Sequence, residues 1–322
     1  MNKHIVMFSG GASSFVTASR VRHAIKQTPT LLFCDTEIED NDLYRFLIES
    51  AAFIGGQPAA PDLLERARTI PEVGESTRHA YLRALATDTV RATPHLLWLS
   101  DGRTPWEVFK DVRFIGNSRI AACSHKLKQD VARAWLDSNC DPANTTIYLG
   151  IHWSEEERFY GTANSKGARD LWLPWKCESP LCESPLIPAN AIPEAIKATG
   201  IELPRLYAMG FAHNNCGGFC VRAGQGHFKR LLATLPARYA HHEAQENAMR
   251  EFLGKDVSIL RDRRGGAIRP LTLSEFRARI AESAPVDETD IGGCGCFVTG
   301  DDNGNADGPP GSSDPAHQPR DR

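Results

Sequence analysis

The sequence has no long hydrophobic run, since none of its apolar stretches reaches the roughly 18 residues that a membrane-spanning helix needs. It also has no basic and apolar leader of the kind that directs secretion. Neither sign of charge predominates, because 37 Lys and Arg residues stand against 40 Asp and Glu residues. The resulting net charge of -3 excludes a general nucleic-acid-binding footprint. We therefore expect a cytoplasmic protein with no membrane partner.

The composition is that of an ordinary globular protein, with 41% hydrophobic and 24% charged residues. A chain of 322 residues can form one large core with an appended region, or two modest domains. We expect a nucleotide-binding α/β domain over 1–190 and a helical region with a cysteine cluster over 191–298. The remainder, 299–322, is rich in Gly, Asp, Pro and Ser without apolar periodicity, which predicts a disordered tail.

Cysteine, by contrast, is abundant. A cytoplasmic compartment keeps thiols reduced, so metal binding or redox chemistry is a better interpretation of these residues than a disulfide framework. Several of them lie beside glycine or in turn-like sequence, where cysteines that only fill space in a core are less expected. The nine cysteines are Cys34, Cys123, Cys140, Cys177, Cys182, Cys216, Cys220, Cys294 and Cys296.

One stretch near the N-terminus predicts an anion-binding turn. An apolar run from Ile5 to Phe8 is followed by Ser9, Gly10 and Gly11, and then by a helix-like segment. Glycine allows backbone N–H groups to approach a ligand closely, and the first N–H groups of a helix have no intrahelical partner. A phosphate is the natural ligand of such a turn, and nearby hydroxyl groups add donors. An ordinary strand-to-helix turn is the alternative, and the pattern of a Walker A loop is absent.

The next elements predict a parallel sheet. Helical periodicity over 15–27 leads to a second apolar run, 30–34, and a strand, a helix and a strand in this order form a right-handed βαβ unit. Asp35 and Thr36 follow the second strand, at the sheet edge where wound α/β proteins bind nucleotides. Further short strands are predicted near 96–99 and 145–149, whereas 172–188 is predicted to be a loop that leads away from the sheet. The predicted fold is α/β with a doubly wound parallel sheet.

A basic segment follows in the middle of the chain. Arg119, Lys126 and Lys128 surround a predicted helix start near Cys123, which would place cations and N–H donors around one anion. An ordinary basic amphipathic helix is the alternative interpretation.

The second strongest signal is the pair Cys216 and Cys220, separated by Gly-Gly-Phe. The two glycines would allow the backbone to wrap around a metal ion or a cluster and to direct N–H groups at the sulfur atoms. Reduced structural cysteines are the alternative.

Four ordered motifs resemble the phosphoadenosine phosphosulfate (PAPS) reductase-like family of the PP-loop ATP pyrophosphatase (adenine nucleotide alpha hydrolase) superfamily. This superfamily includes tRNA thiolation enzymes and DNA phosphorothioation sulfurtransferases, and a phage or mobile-element type related to the latter is one expectation. The motifs are 9–14, similar to the PP-loop, 35–46, 123–128 and 150–158. The chain departs from the family pattern at Ser13 for Asp, Glu37 for Gly and His152 for Arg.

The resemblance implies a set of site residues, all as expectations. ATP or PAPS, with Mg²⁺, would bind at Ser9, Gly10, Gly11, Ser13, Ser14, Asp35, Thr36, Gly150 and Arg158. Lys126 and Lys128 would stabilise charge during transfer. A [4Fe–4S] cluster would be held by Cys123, Cys216, Cys220 and a fourth cysteine, Cys294 or Cys296, and a tetrahedral zinc ion would accept the same ligands. In members without a cluster a mobile C-terminal cysteine acts as nucleophile, a role that Cys294 or Cys296 could fill.

The function implied is ATP-dependent sulfur transfer or sulfonucleotide reduction. The implied partners are a sulfur donor protein or a thioredoxin-like reductant, with tRNA or DNA as an acceptor. One alternative is an ATP-pyrophosphatase ligase or amidotransferase-like enzyme in which the cysteines hold structural zinc. An alternative of another class is a metal-stabilised nucleic-acid-binding protein, which would have no use for the Ser-Gly-Gly turn.

Overall fold

The computed structural model describes residues 2–117, 120–163, 165–264, 267–290 and 292. Its helices are α1 (Ala12–Ile25), α2 (Asn41–Gly55), α3 (Pro61–Arg68), α4 (Arg78–Ala92), α5 (Pro105–Val112), α6 (Ala122–Ser124), α7 (Asp130–Asn139), α8 (Glu157–Tyr160), α9 (Ala168–Leu171), α10 (Ala191–Lys197), α11 (Arg205–Ala208), α12 (Gln225–Thr234), α13 (Pro236–Leu253) and α14 (Leu273–Ala281). Its strands are β1 (Lys3–Met7), β2 (Thr30–Asp35), β3 (Leu96–Ser100), β4 (Thr145–Tyr148), β5 (Gly161–Thr162), β6 (Ser165–Lys166), β7 (Lys176–Glu178), β8 (Leu260–Asp262) and β9 (Arg269–Leu271). A π-helical turn, His125–Gln129, joins α6 to α7.

The central sheet is parallel and has the order β3-β2-β1-β4-β7. From β1 the chain proceeds outward through β2 and β3 on one side, and β4 and β7 then extend the sheet on the other side. The direction of winding therefore reverses between β1 and β4. In wound α/β sheets such a switch point, at the carboxyl ends of the strands, is where ligands bind. The prediction of an α/β fold with a wound parallel sheet is confirmed.

Helices cover both faces of this sheet. Successive strand residues point to opposite faces, so Val6 and Leu31 pack in the cluster that includes α1 and α2. Ile5 and Leu32 face the other way and pack with Leu136 of α7. Burial on both faces explains why these strands are continuous apolar runs rather than alternating ones.

The predicted loop at 172–188 is wrong in one respect, because Lys176–Glu178 forms the edge strand β7. It pairs in parallel with β4, with Cys177 opposite Ile147. The strand has only three residues and lies between Pro174 and Pro180, and flanking prolines of this kind are typical of a loop. The pairing with β4, rather than local preference, determines its conformation.

Two of the hydrophobic clusters contain residues from both sides of position 190, the predicted boundary between the α/β domain and the helical region. Ile192 and Ile196 of α10 pack in the cluster that contains α1. Trp106 of α5, from the N-terminal half, packs with Phe228 and Phe276 of the C-terminal region.

No helix in the described part of the chain is both long and apolar enough to cross a bilayer. The predicted tail at 299–322 lies outside the described residues.

Candidate functional site

The Ser-Gly-Gly turn lies directly after β1, at the switch point of the sheet. Gly10 has φ +73°, and a Cβ atom there would lie 2.8 Å from Leu43 Cδ2, so both conformation and space require glycine. Gly11 is the N-cap of α1 and offers no side chain to the first N–H groups of this 14-residue helix. Ser14 Oγ donates to the Gly11 carbonyl oxygen at 2.8 Å and stiffens the turn. The turn thus presents the amino end of a helix to the sheet edge, and we call residues 9–14 the cradle.

The other predicted residues of the cradle differ in what they contact. Ser9 Oγ lies 3.4 Å from Ser14 Oγ, whereas Ser13 is half-buried. Gly150 packs behind the turn, where a Cβ atom would lie 2.9 Å from the Ser14 backbone nitrogen. Gly150 therefore supports the cradle by letting the end of β4 approach α1.

Two residues of the C-terminal half reach the cradle. The Ala12 N–H donates to the Tyr207 hydroxyl at 3.2 Å. Asn214 Nδ2 donates to the Gly10 carbonyl oxygen at 3.3 Å. Asn214 is only 1% exposed, and its Oδ1 has no hydrogen-bond partner among the described residues.

Asp35, predicted to contact a nucleotide, is buried at the end of β2 and is engaged by the protein. Its carboxylate accepts hydrogen bonds from Tyr44 Oη at 2.8 Å, from Trp98 Nε1 at 3.0 Å and from the Glu37 N–H at 2.7 Å. Burial raises the pKa of Asp35 to about 6, although these hydrogen bonds oppose the shift. The structure therefore gives its carboxylate a role in holding the sheet edge together.

The residues after Asp35 form an acidic turn, and their side chains are also hydrogen-bonded to other protein groups. Glu37 occupies a left-handed conformation, with φ +64°. Its carboxylate accepts from Ser100 Oγ at 2.7 Å and lies 2.6 Å from His79 Nδ1. These two contacts hold a non-glycine residue in a conformation that L-residues seldom adopt. Thr36 Oγ1 donates to Glu39 Oε1 at 3.0 Å.

An apolar cavity lies beyond Thr36, at the carboxyl end of β2. Three predicted ligands, Cys123, Cys216 and Cys220, line it together with Lys128. These residues come from segments almost a hundred positions apart in the chain, so the fold brings them together. The other lining residues are Pro105, Ala121, Ser124, Phe219, Val221 and Arg222.

Lys128 and Lys126, predicted to act together, have different surroundings. Lys128 is buried, and its Nζ lies 3.4 Å from Glu39 Oε1, with side-chain exposures of 3% and 1%. Lys126 is 48% exposed and pairs with Asp130 at 2.9 Å. Side chains two positions apart on a helix do not face the same side. Only Lys128 therefore faces the thiols.

Burial and charge act in opposite directions on these thiols. Burial raises the pKa of Cys123 to about 11 and that of Cys216 well above its usual value of 9.0. The Lys128 ammonium favours the thiolate and lowers the pKa of both. Because the thiolate is the form that binds metals and attacks electrophiles, Lys128 is the described group that most directly promotes either chemistry.

The turn that carries Cys216 has an unusual backbone. Cys216 and Gly217 have φ values of +54° and +60°, so two consecutive residues are left-handed. The Cys216 N–H donates to Glu39 Oε2, and Arg238 Nη1 donates to the Gly217 carbonyl oxygen at 2.7 Å. The acidic turn and α13 thus fix this cysteine from two sides.

The remaining predicted site residues are a nucleotide contact, Arg158, and two cysteines near the C-terminus, Cys294 and Cys296. Arg158 pairs with Glu155 on the surface, and Cys294 and Cys296 lie outside the described residues. Among the residues that are described, no three His, Cys, Asp or Glu side chains are placed so that they could hold one metal ion.

Sequence reasoning missed Glu39, Tyr207 and Asn214. Glu39 lies in an acidic stretch whose Asp40 does serve as the N-cap of α2, accepting from the Asp42 N–H at 3.0 Å as expected of such a stretch. Nothing local distinguishes Glu39 from a capping residue, and the contacts of Tyr207 and Asn214 span about 200 positions of the chain.

The chain matches no protein-family model and no curated protein sequence.

Proposed function

We propose that the chain is a PAPS reductase-like enzyme with a fold of the adenine nucleotide alpha hydrolase type, which uses an adenine nucleotide in sulfur chemistry. The observation that carries the proposal is the convergence of Cys123, Cys216, Cys220 and Lys128 on one cavity that extends to Thr36. Thr36 directly follows β2, which is the strand next to β1, and the end of β1 leads into the cradle. The cradle and a set of thiols with a cation therefore lie at the ends of neighbouring strands.

The nucleotide part of the proposal rests on the cradle. It combines a left-handed glycine, the amino end of a long helix whose N-cap residue makes no side-chain hydrogen bond, and a position at the switch point. Mg²⁺ usually binds through one or two carboxylates and the substrate phosphates. Ser13 supplies a hydroxyl where the family has Asp, and Asp35 and Glu39 are engaged by protein donors. We infer that Mg²⁺ would be held mainly by the phosphates themselves.

The donor set fits a [4Fe–4S] cluster, and a tetrahedral zinc ion would accept the same thiolates. A cluster takes one thiolate for each iron, and three of the four would come from side chains that line one cavity. When bound, such a cluster supplies electron transfer or sulfur chemistry. Cys123, Cys216 and Cys220 would hold three irons, and the Lys128 ammonium would offset the negative charge of the thiolates.

The fourth ligand is proposed to be Cys294. Gly292, two residues earlier, pairs with Ala223 in an antiparallel bridge, and the Gly226 N–H donates to the Asp290 carbonyl oxygen at 2.9 Å. Ala223 is next to Arg222, which lines the cavity. Gly292 therefore lies beside the segment that supplies part of the cavity lining. The sulfur donor and the acceptor, whether nucleotide, tRNA or DNA, remain predictions.

Calorimetric titration with ATP and with PAPS tests the nucleotide part. We expect wild-type protein to bind at least one of them and Gly11→Val to bind neither. A Cβ atom at Gly11 would lie 3.4 Å from both Ser9 Oγ and Tyr207 Oη, so the added methyl groups of valine would enter the cradle. The backbone of Gly11 is ordinary, with φ -105°, and the variant should keep its melting temperature. Equal affinity of the variant and the wild type would exclude the cradle from nucleotide binding.

A further inference from the structure

The hydroxyl of Tyr207 lies at the amino end of α1, and helix amino ends commonly bind phosphate oxygens. It accepts the N–H of Ala12, the first residue of α1, and such an N–H has no acceptor within its own helix. Tyr207 is half-buried and packs against the core that contains α1. Its segment is fixed by Arg205, whose side chain donates twice to Asp40 at 2.8 Å. The phenol is thus placed firmly at the amino end of the helix.

Asn214 adds an observation that is independent of the helix terminus. Its Nδ2 group contacts the Gly10 carbonyl oxygen, while its Oδ1 is buried without a partner among the described residues. A buried acceptor without a partner is costly, and such groups call for an explanation. A carboxamide oxygen accepts from hydroxyl and amino groups, which a nucleoside has and which fully ionised pyrophosphate lacks.

We propose that Tyr207 and Asn214 complete the nucleotide site from the C-terminal half of the chain. The Tyr207 hydroxyl accepts from Ala12 before a phosphate binds, and it donates to the phosphate once the phosphate has taken the Ala12 N–H. The Asn214 carboxamide oxygen accepts from a hydroxyl or amino group of the nucleoside. This inference rests on the proposed function and adds to it that the site recognises the nucleoside of the ligand as well as its phosphates.

The test compares sodium pyrophosphate and ATP by calorimetry in three variants. Tyr207→Phe should weaken the binding of both ligands roughly tenfold, because a hydrogen bond to a charged group is lost. The matched control is Tyr81→Phe, since Tyr81 is also half-buried against the same core but bonds Thr69 and Arg66 instead. The control should keep wild-type affinities, and both phenylalanine variants should melt at similar temperatures.

Asn214→Ala should weaken ATP binding roughly tenfold and change pyrophosphate affinity less than about threefold. Its retained pyrophosphate affinity would also show that the variant is folded. Equal losses for both ligands would mean that Asn214 only supports the Gly10 backbone, which overturns its part of the proposal. If Tyr207→Phe binds ATP and pyrophosphate as tightly as the wild type or more tightly, the proposed contact between the Tyr207 hydroxyl and the phosphate is overturned.

Failure of the proposed function itself would be seen in the ligand binding of the wild-type protein rather than in the variants. Wild-type protein that binds neither ATP, PAPS nor pyrophosphate would exclude the cradle as a phosphate site, and this inference would fall with it. Wild-type protein that binds, together with variants that bind equally well, would overturn only the roles of Tyr207 and Asn214.

Discussion

Replacing either member of the Glu39 and Lys128 pair should destabilise the protein strongly, whereas replacing both should not. Glu39 accepts from Thr36 Oγ1, from Lys128 Nζ and from the Cys216 N–H, and it is 1% exposed. Glu39→Gln leaves the Lys128 ammonium without its carboxylate, and Lys128→Met leaves the carboxylate without its cation. In both variants a charge stays buried without compensation.

The magnitude follows from the burial of the pair. Breaking a buried ion pair from one side costs about 3–5 kcal/mol, because the remaining charge is not solvated. For a chain of 322 residues that loss lowers the melting temperature by roughly 4–8 °C. Removing both charges avoids most of this penalty. The double variant should therefore be at least about 2 kcal/mol more stable than the sum of the single losses predicts.

The assay is urea unfolding of the wild type, the two single variants and the double variant. The control cycle uses Lys126→Met and Asp130→Asn, because this exposed pair lies in the same helical segment and should couple by about 0.3–0.5 kcal/mol. A coupling energy between Glu39 and Lys128 as small as that of the control pair would refute the reasoning. It would mean that water, rather than Glu39, compensates the charge of Lys128.

Three further predictions concern stability. Gly150→Ala should lower the free energy of unfolding by about 1–3 kcal/mol in urea, because its Cβ atom would lie 2.9 Å from the Ser14 nitrogen; no loss would mean that β4 and α1 can separate freely. Gly217→Ala should cost a similar amount, about 1–3 kcal/mol, because its φ is +60° and its Cβ atom would overlap the Ile38 carbonyl oxygen; unchanged iron content and stability would contradict a rigid cysteine turn. Burial lowers the pKa of His242 well below 6.5, so the unfolded chain takes up a proton below pH 6.5 that the folded chain does not. This contribution to stability is present above pH 6.5 and falls by about 1.4 kcal/mol per pH unit as the pH decreases, and unfolding curves of His242→Gln should show a correspondingly shallower pH dependence.

Elements with strong local signals could be predicted from the sequence. The apolar run before Gly10 predicts β1. The start of α5 is indicated by an N-cap threonine, Thr104, followed by Pro105 and Glu107. In the structure the Glu107 N–H donates to Thr104 Oγ1 and the Thr104 N–H donates to Glu107, a complete capping box. These interactions lie within four residues, so the sequence contains all their participants.

Elements that depend on distant partners could not be predicted. Strand β7 has three residues and exists because β4 offers it a ladder of hydrogen bonds. The left-handed Glu37 is similar, since Ser100 and His79, from β3 and α4, hold its carboxylate. No local pattern reveals either feature, because the stabilising groups lie far away along the chain.

The candidate site is divided in the same way. The spacing of Cys216 and Cys220 and the resemblance of the Cys123 segment to a known family selected these three thiols, and the fold places them around one cavity. The sequence favoured Lys126 and Lys128 equally as site residues, and only the burial of the Lys128 side chain distinguishes them. Residue type and spacing thus identified candidate groups, whereas their separation into buried and exposed members required the packing of the helix against the sheet.

The content of iron and acid-labile sulfide in anaerobically purified protein tests most directly whether the three thiols act as one unit. We expect about four irons and four sulfides per chain, with visible absorption from thiolate-to-iron charge transfer. Cys123→Ser, Cys216→Ser or Cys220→Ser should each reduce the iron content sharply, whereas Cys34→Ser and Cys140→Ser should leave it unchanged. One zinc ion per chain and no iron, in aerobic and anaerobic preparations alike, would contradict the account.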